Sequence, residues 1–169
     1  MYALRCTTRL LNRLKTEAVE ALPAPTTRLG NWYANLVNMG SARLVLCISE
    51  RTLLPVLVHV KSLATLPQRL PVAVGEMLRT IGVPENDVAA ELDQMSDAVV
   101  AKTASRQILG SMNDFGRLLE GYWFGDPKAL VEVALKIADA PCRPIGMDNP
   151  RDATLAIFKS GDGLRPVRW

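Results

Sequence analysis

Residues 32 to 60 read WYANLVNMGSARLVLCISERTLLPVLVHV, and this stretch decides the fold. Trp32 to Val37, Ala42 to Ser49 and Leu53 to Val60 are runs rich in β-branched, aromatic and aliphatic residues. They are separated by Asn38-Met39-Gly40-Ser41 and Glu50-Arg51-Thr52, both short enough to be hairpin connections. Three antiparallel strands follow from that spacing. Pro55 cannot donate to a ladder, so the third run must lie at a sheet edge or begin near that residue.

Upstream, Tyr2 to Cys6 reads as a short strand. Thr7 or Thr8 then offers an N-cap for a helix to about Ala18, with Leu10, Leu11 and Leu14 as its apolar stripe. Downstream the periodicity becomes helical. Leu63, Leu66, Leu70, Val74, Met77, Leu78 and Ile81 form one stripe, and Val88, Leu92, Met95 and Val99 form another that opens at Pro84 and runs to about Thr103. Ser111 reads as the cap of a helix carrying Met112, Phe115, Leu118, Leu119 and Trp123. Further helices are expected near 126–138 and 150–158. The expectation is an α+β fold, with an antiparallel sheet of three or four strands from the N-terminal third packed on one face by a C-terminal helical layer. Residues 1–160 are expected to form a single domain, followed by a basic, mobile tail at 161–169.

Composition narrows the chemistry. With 169 residues, 49% hydrophobic and 22% charged, the chain falls in the ordinary globular range. No apolar run approaches the roughly 20 residues that cross a bilayer, so no membrane partner is expected. Arg5, Arg9, Arg13 and Lys15 precede the first acid, Glu17, a pattern shared with transit peptides. The strand reading of Tyr2 to Cys6 argues against that assignment. Cys6, Cys47 and Cys142 are widely spaced with no CxxC pair, which suits a reducing cytoplasm and gives no metal site. Cys142, beside Arg143, could be activated, but no base accompanies it. His59 is the only histidine and stands in an apolar strand, a poor place for a catalytic base. Glu85, Asp87, Glu91, Asp93 and Asp97 follow the polar side of one helix and read as its solvated face. No cofactor is expected.

Three groups of polar residues remain. Lys102, Thr103, Arg106, Ser111, Asn113 and Asp114 crowd one segment, where capping explains Ser111 and Asp114 but not the others. Arg28, Asn31 and Asn35 surround Trp32 and Tyr33, with Trp32 expected to pack inward. Arg5, Arg9, Arg13 and Arg51 supply positive charge, with Arg9 and Arg13 on one helix face at an i, i+4 spacing. The candidate ligand-binding set is therefore Arg28, Asn31, Lys102, Arg106, Asn113 and Asp114, tested by whether they share one pocket.

The strings Leu4-Arg5-Cys6-Thr7, Thr26 to Asn35, Ser49 to Pro55 and Leu109 to Phe115 resemble a family of small, uncharacterised bacterial proteins classed as a domain of unknown function. That resemblance covers most of the chain and implies one α+β domain from a bacterial cytoplasm, with no activity attached. The stretches from Phe124 to Gly146 and from Pro150 to Gly163 are similar to the toxin-binding domain of some bacterial antitoxins, which points towards a partner-binding role. The function expected is recognition of an acidic macromolecule, nucleic acid or protein, without catalysis. An enzyme acting on a phosphorylated or nucleic-acid substrate through Asp114 and Arg106 is one alternative, and an oligomeric or antitoxin-like interaction module is the other.

Overall fold

The computed structural model describes residues 1–60, 63–126 and 128–160. The expected tail at 161–169, and Pro127 within the antitoxin-like stretch, lie outside the described residues. The elements run β1 (Tyr2–Cys6), α1 (Thr8–Leu14), β2 (Trp32–Met39), β3 (Ala42–Ser49), β4 (Pro55–His59), α2 (Leu66–Thr80), α3 (Glu85–Gln94), β5 (Ala98–Lys102), α4 (Arg106–Tyr122), α5 (Leu130–Ala138) and α6 (Pro150–Ser160). Single turns of 3-10 helix precede α2 and follow α5.

The meander over 32 to 60 forms as expected. β2 pairs antiparallel with β3 from Trp32↔Ser49 to Met39↔Ala42, and β3 pairs with β4 from Leu44↔His59 to Ile48↔Pro55. Pro55 begins β4, and β4 is an edge strand, so both ways of accommodating the proline are used at once.

The expected antiparallel sheet needs correction. Five strands run in the order β4-β3-β2-β1-β5, and β1 pairs parallel with both β2 and β5, so the sheet is mixed. The fifth strand was expected to be the end of a helix. Val99 does continue the Val88, Leu92, Met95 spacing, but α3 stops at Gln94, and Ser96 and Asp97 turn the chain into β5. Pairing with β1 supplies β5 with the ladder that its own five residues do not encode.

Helices cover both faces, not one. Register places Leu4, Cys6, Trp32, Ala34 and Cys47 on one side of the sheet and Tyr33, Leu44, Leu46 and Ile48 on the other. All nine are buried, each large apolar side chain contributing about 1.5–3 kcal/mol on burial. Strands buried on both faces read as near-continuous apolar runs, which is the pattern of β3. On the first face the Tyr2 hydroxyl donates to the Pro67 carbonyl of α2 at 3.3 Å. On the second, the Tyr33 hydroxyl faces the backbone of Ala104 and Ser105, which leads into α4.

α4 also begins earlier than expected. Its cap is Ser105, whose Oγ accepts from the Ile108 N–H at 3.3 Å. Gly110 is absorbed into the helix. Ser111 lies a turn inside, its hydroxyl donating back to the Gln107 carbonyl, so neither it nor Asp114 serves a helix start. At the other end of the chain, α1 stops at Leu14 because Lys15 adopts a left-handed conformation (φ 54°) and its N–H returns to Leu11.

Candidate functional site

α1 is held on the sheet by its apolar side and by its capping residue. Leu10 is fully buried, and the Thr7 hydroxyl donates to Asn35 Oδ1 of β2 at 2.8 Å. With Leu10 turned inward, Arg9 and Arg13 point out from successive turns. The register pair Asn38↔Arg43 then brings a third guanidinium to the same place. Arg9, Arg13 and Arg43 line a cleft of about 80 Å³ with Leu36, Asn38, Val60 and Leu63.

Among the described residues, no carboxylate lines that cleft. The ion pairs among the described residues are Arg28–Asp87, Arg79–Glu85, Arg117–Asp114 and Arg151–Asp139, so none of the three cleft arginines has a partner. Their placement does not stabilise α1. Like charges at i, i+4 cost about 0.2–0.5 kcal/mol. Arg9 also sits in the first turn, where the helix dipole disfavours a cation and no acid offsets it.

The cleft continues along the sheet. Arg9, Leu36 and Asn38 also line an open groove of about 410 Å³ between β2 and α4, which adds Asn113, Arg117 and Glu120. Asn38 and Glu120 pass into a third depression of about 570 Å³ around the β2–β3 turn, bounded by Trp123 and Gly125.

The six residues of the candidate ligand-binding set do not converge on one pocket. Arg28 and Asn31 belong to a locked corner below the sheet. Glu91 of α3 accepts from the backbone N–H groups of Arg28 at 2.8 Å and Leu29 at 3.0 Å, while the Arg28 guanidinium pairs with Asp87 and lies over the Phe158 ring. Asn31 is buried, its Oδ1 accepting from Ala3 N–H and its amide donating to Glu50 Oε2 at 2.8 Å. Gly30 holds the turn at φ +76°, with Arg51 Cγ 3.2 Å from where a Cβ would stand.

The solvated face expected of α3 is thereby corrected at Glu91. It is 2% exposed, because the loop carries its donors down onto it. Burial pushes its carboxyl above the usual range, outweighing the two N–H groups and the nearby Arg28 and Arg51. Asp87 and Glu85 are ion-paired, and Asp93 and Asp97 are exposed.

Lys102 ends β5 and Arg106 opens α4, both exposed. Asn113 and Asp114 are neighbours on α4 but face different hollows. Asn113 lines the groove beside β2, whereas Asp114 lines a separate cleft of about 310 Å³ between α4 and the turn after α5, with Ser111, Cys142 and Arg143. Lys102 and Arg106 line neither, so the Asp114–Arg106 pairing that the enzyme alternative needs is not assembled.

The basic set divides in the same way. Arg9 and Arg13 stay together, while Arg5 and Arg51 are drawn into the fold. Arg5 stacks on Tyr33, donates to the Lys102 carbonyl at 3.2 Å, and has no partner among the described residues for its buried Nε. Arg51 donates to the Arg28 carbonyl at 3.1 Å.

The thiols fit structural roles. Burial pushes Cys6 up to about 12 and Cys47 further, and burial with the Asp114 charge pushes Cys142 up to about 11, so Arg143 does not activate it. His59 closes β4, its carbonyl accepting from Arg69 at 2.6 Å. Trp32 packs inward as expected, fully buried.

The sequence reading missed Arg43 at the cleft, and Glu50, Glu91 and Thr154 in the buried polar scaffold. Thr154 of α6 donates to Thr52 Oγ1 at 2.8 Å, and Thr52 in turn meets Ser49 Oγ at 2.8 Å. For Arg43 one signal was present: it is the only charged residue in the run Ala42 to Ser49.

The family model of the domain of unknown function DUF6933 matches residues 3–153. The chain belongs to that family. The match spans the DUF6933 domain from β1 into α6 and takes in every residue of the arginine cleft. No curated protein and no solved structure matches the chain.

Proposed function

We propose that this chain is a binding protein that recognises an acidic partner, nucleic acid or protein, through the cleft of Arg9, Arg13 and Arg43. One observation carries the reading. Three guanidinium groups share a hollow that, among the described residues, no carboxylate lines and in which each lacks an ion pair. Guanidinium is the side chain best suited to phosphate and carboxylate, because its planar fork donates two parallel hydrogen bonds. Binding is favoured over catalysis because the perturbed thiols and Tyr2 are raised by burial, and Glu91 is committed to the loop it caps.

The protein acts as one domain over residues 1–160. The setting we assign is a reducing cytoplasm, supported by three buried free thiols. Among the described residues, no helix is long and apolar enough to cross a membrane.

The test is titration with inorganic polyphosphate, read by calorimetry at two salt concentrations. Binding that weakens steeply with salt, and that is lost in the R9A/R13A/R43A variant while the thermal melt is retained, is the expected result. Equal binding by that variant and the wild type would overturn the proposal.

A further inference from the structure

The arginine cleft opens into a longer surface where Arg117 and the Glu120 carboxylate stand among amides and an exposed ring follows in the chain. Asn38 and Asn113 line it with exposed amides that make no hydrogen bond among the described residues. An amide carries both a donor and an acceptor, the pairing that base edges present and that a carboxylate chain does not. At the far end Trp123 and Gly125 border the depression around the β2–β3 turn, and between them Phe124 is 86% exposed. Of the large apolar side chains exposed on the described surface it is the only aromatic one. A ring in water costs solubility and returns nothing to the core. It is well placed to stack against a base.

The exposed ring, more than the cations, separates single strands from duplexes. A duplex is read by parts of a protein that protrude into its grooves or clamp its two backbones. Here the cations lie inside a cleft of about 80 Å³ and along a groove floored by β2 and walled by α4. An exposed ring such as Phe124 stacks only on a base whose face is free, which a single strand offers and a duplex does not.

We propose that this surface binds single-stranded nucleic acid, with phosphates on Arg9, Arg13 and Arg43, base edges at Asn38 and Asn113, and a base stacked on Phe124. The inference rests on the acidic-partner reading and narrows it to one class. Non-specific affinity is expected, because two amides and one ring read little sequence and every base has a face to stack.

The experiment uses the full chain and fluorescein-labelled oligo(dT) read by anisotropy, with the matching duplex, poly-glutamate and inorganic polyphosphate as competitors. The single strand should bind more tightly than the duplex or poly-glutamate. Three phosphate contacts predict a log–log salt slope near about −2, hence a loss of roughly 20-fold between 50 and 200 mM salt. Phe124→Ala, a change at a solvent-facing ring, should weaken the single strand by about 5- to 150-fold while leaving polyphosphate binding alone. A duplex or poly-glutamate that competes as well as the single strand overturns the inference, as does an unchanged affinity in Phe124→Ala. If polyphosphate is still bound through the arginines in either case, the acidic-partner reading stands and the single-strand one falls. If no polyanion binds the wild-type chain, both fall.

Discussion

Replacing Glu91 by Ala removes the acceptor that takes two backbone N–H groups of the loop from Thr27 to Asn31 onto α3, leaving the Arg28–Asp87 pair in place. Two backbone donors lose their partner at once. Arg28 N–H is part-buried and can recruit water, so its loss costs about 1 kcal/mol, whereas the buried Leu29 N–H carries the fuller penalty of about 2–3 kcal/mol. The sum, about 3–4 kcal/mol, corresponds to a fall in melting temperature of roughly 6–16 °C for a domain of this size. Glu91→Gln keeps the shape but turns an amide N–H₂ towards one of the two donors, and should cost about 1–2 kcal/mol.

The pH dependence follows from the direction of the shift. Burial holds the folded Glu91 carboxyl above its ordinary value, so between those two values the folded state binds the extra proton. Its contribution to stability is fully present below the ordinary carboxylate range and is lost as pH rises through the raised folded value. The advantage of the wild type over Glu91→Gln should therefore shrink with rising pH across that window. Circular-dichroism melts of both variants at several pH values give the answer, with Glu85→Ala, which breaks only an exposed pair, as a control that should barely move. A Glu91→Ala melt within about 2 °C of the wild type would refute the claim that this carboxylate holds the corner.

Two further substitutions test the local geometry. Ser105→Ala should cost about 1 kcal/mol in a urea titration, as loss of an N-cap does, while Ser111→Ala should stay within about 0.5 kcal/mol; the reverse ranking would move the start of α4 to residue 111. Gly30→Ala should cost about 1–2 kcal/mol, since it forces a side chain into φ +76° and against Arg51; a neutral effect in the same titration would mean the turn relaxes freely.

Local pattern specified what depends on local pattern. β1 and β3 fall on the residues expected, because each is an apolar run bounded by threonine, glycine or charged turn residues. β5 was hidden because Val99 satisfies a helical spacing, and only a partner strand more than 90 residues away makes an extended conformation the better one. Ser111 with Asp114 three residues on imitates a capping pattern, and nothing near it in the sequence discloses that Ser105 caps first.

The candidate site was less legible for the same reason. Arg9 and Arg13 announce themselves by helical spacing, but Arg43 joins them only through the β2–β3 register, and Asp114 parts from Asn113 because neighbouring helix positions point about 100° apart. Asn31 and Arg28 carry polar groups suited to a ligand, yet they are taken up by Ala3, Glu50, Glu91 and Asp87, whose positions depend on the folded chain.

The place of β1 in the sheet has a consequence for synthesis. It is flanked by β2 on one side and β5 on the other, so one of its edges stays open until residues 98–102 have been made. At about 5–20 residues per second, the 91 residues between Cys6 and Ala98 take roughly 5–20 s to emerge. Throughout that interval a short apolar strand, YALRC, can template any other strand that meets it. The nascent chain therefore stays open to mispairing until β5 has emerged, and a pause in translation before residue 98 would lengthen the exposure. Truncation before residue 98 would make it permanent, because β1 would then have no β5 to pair with.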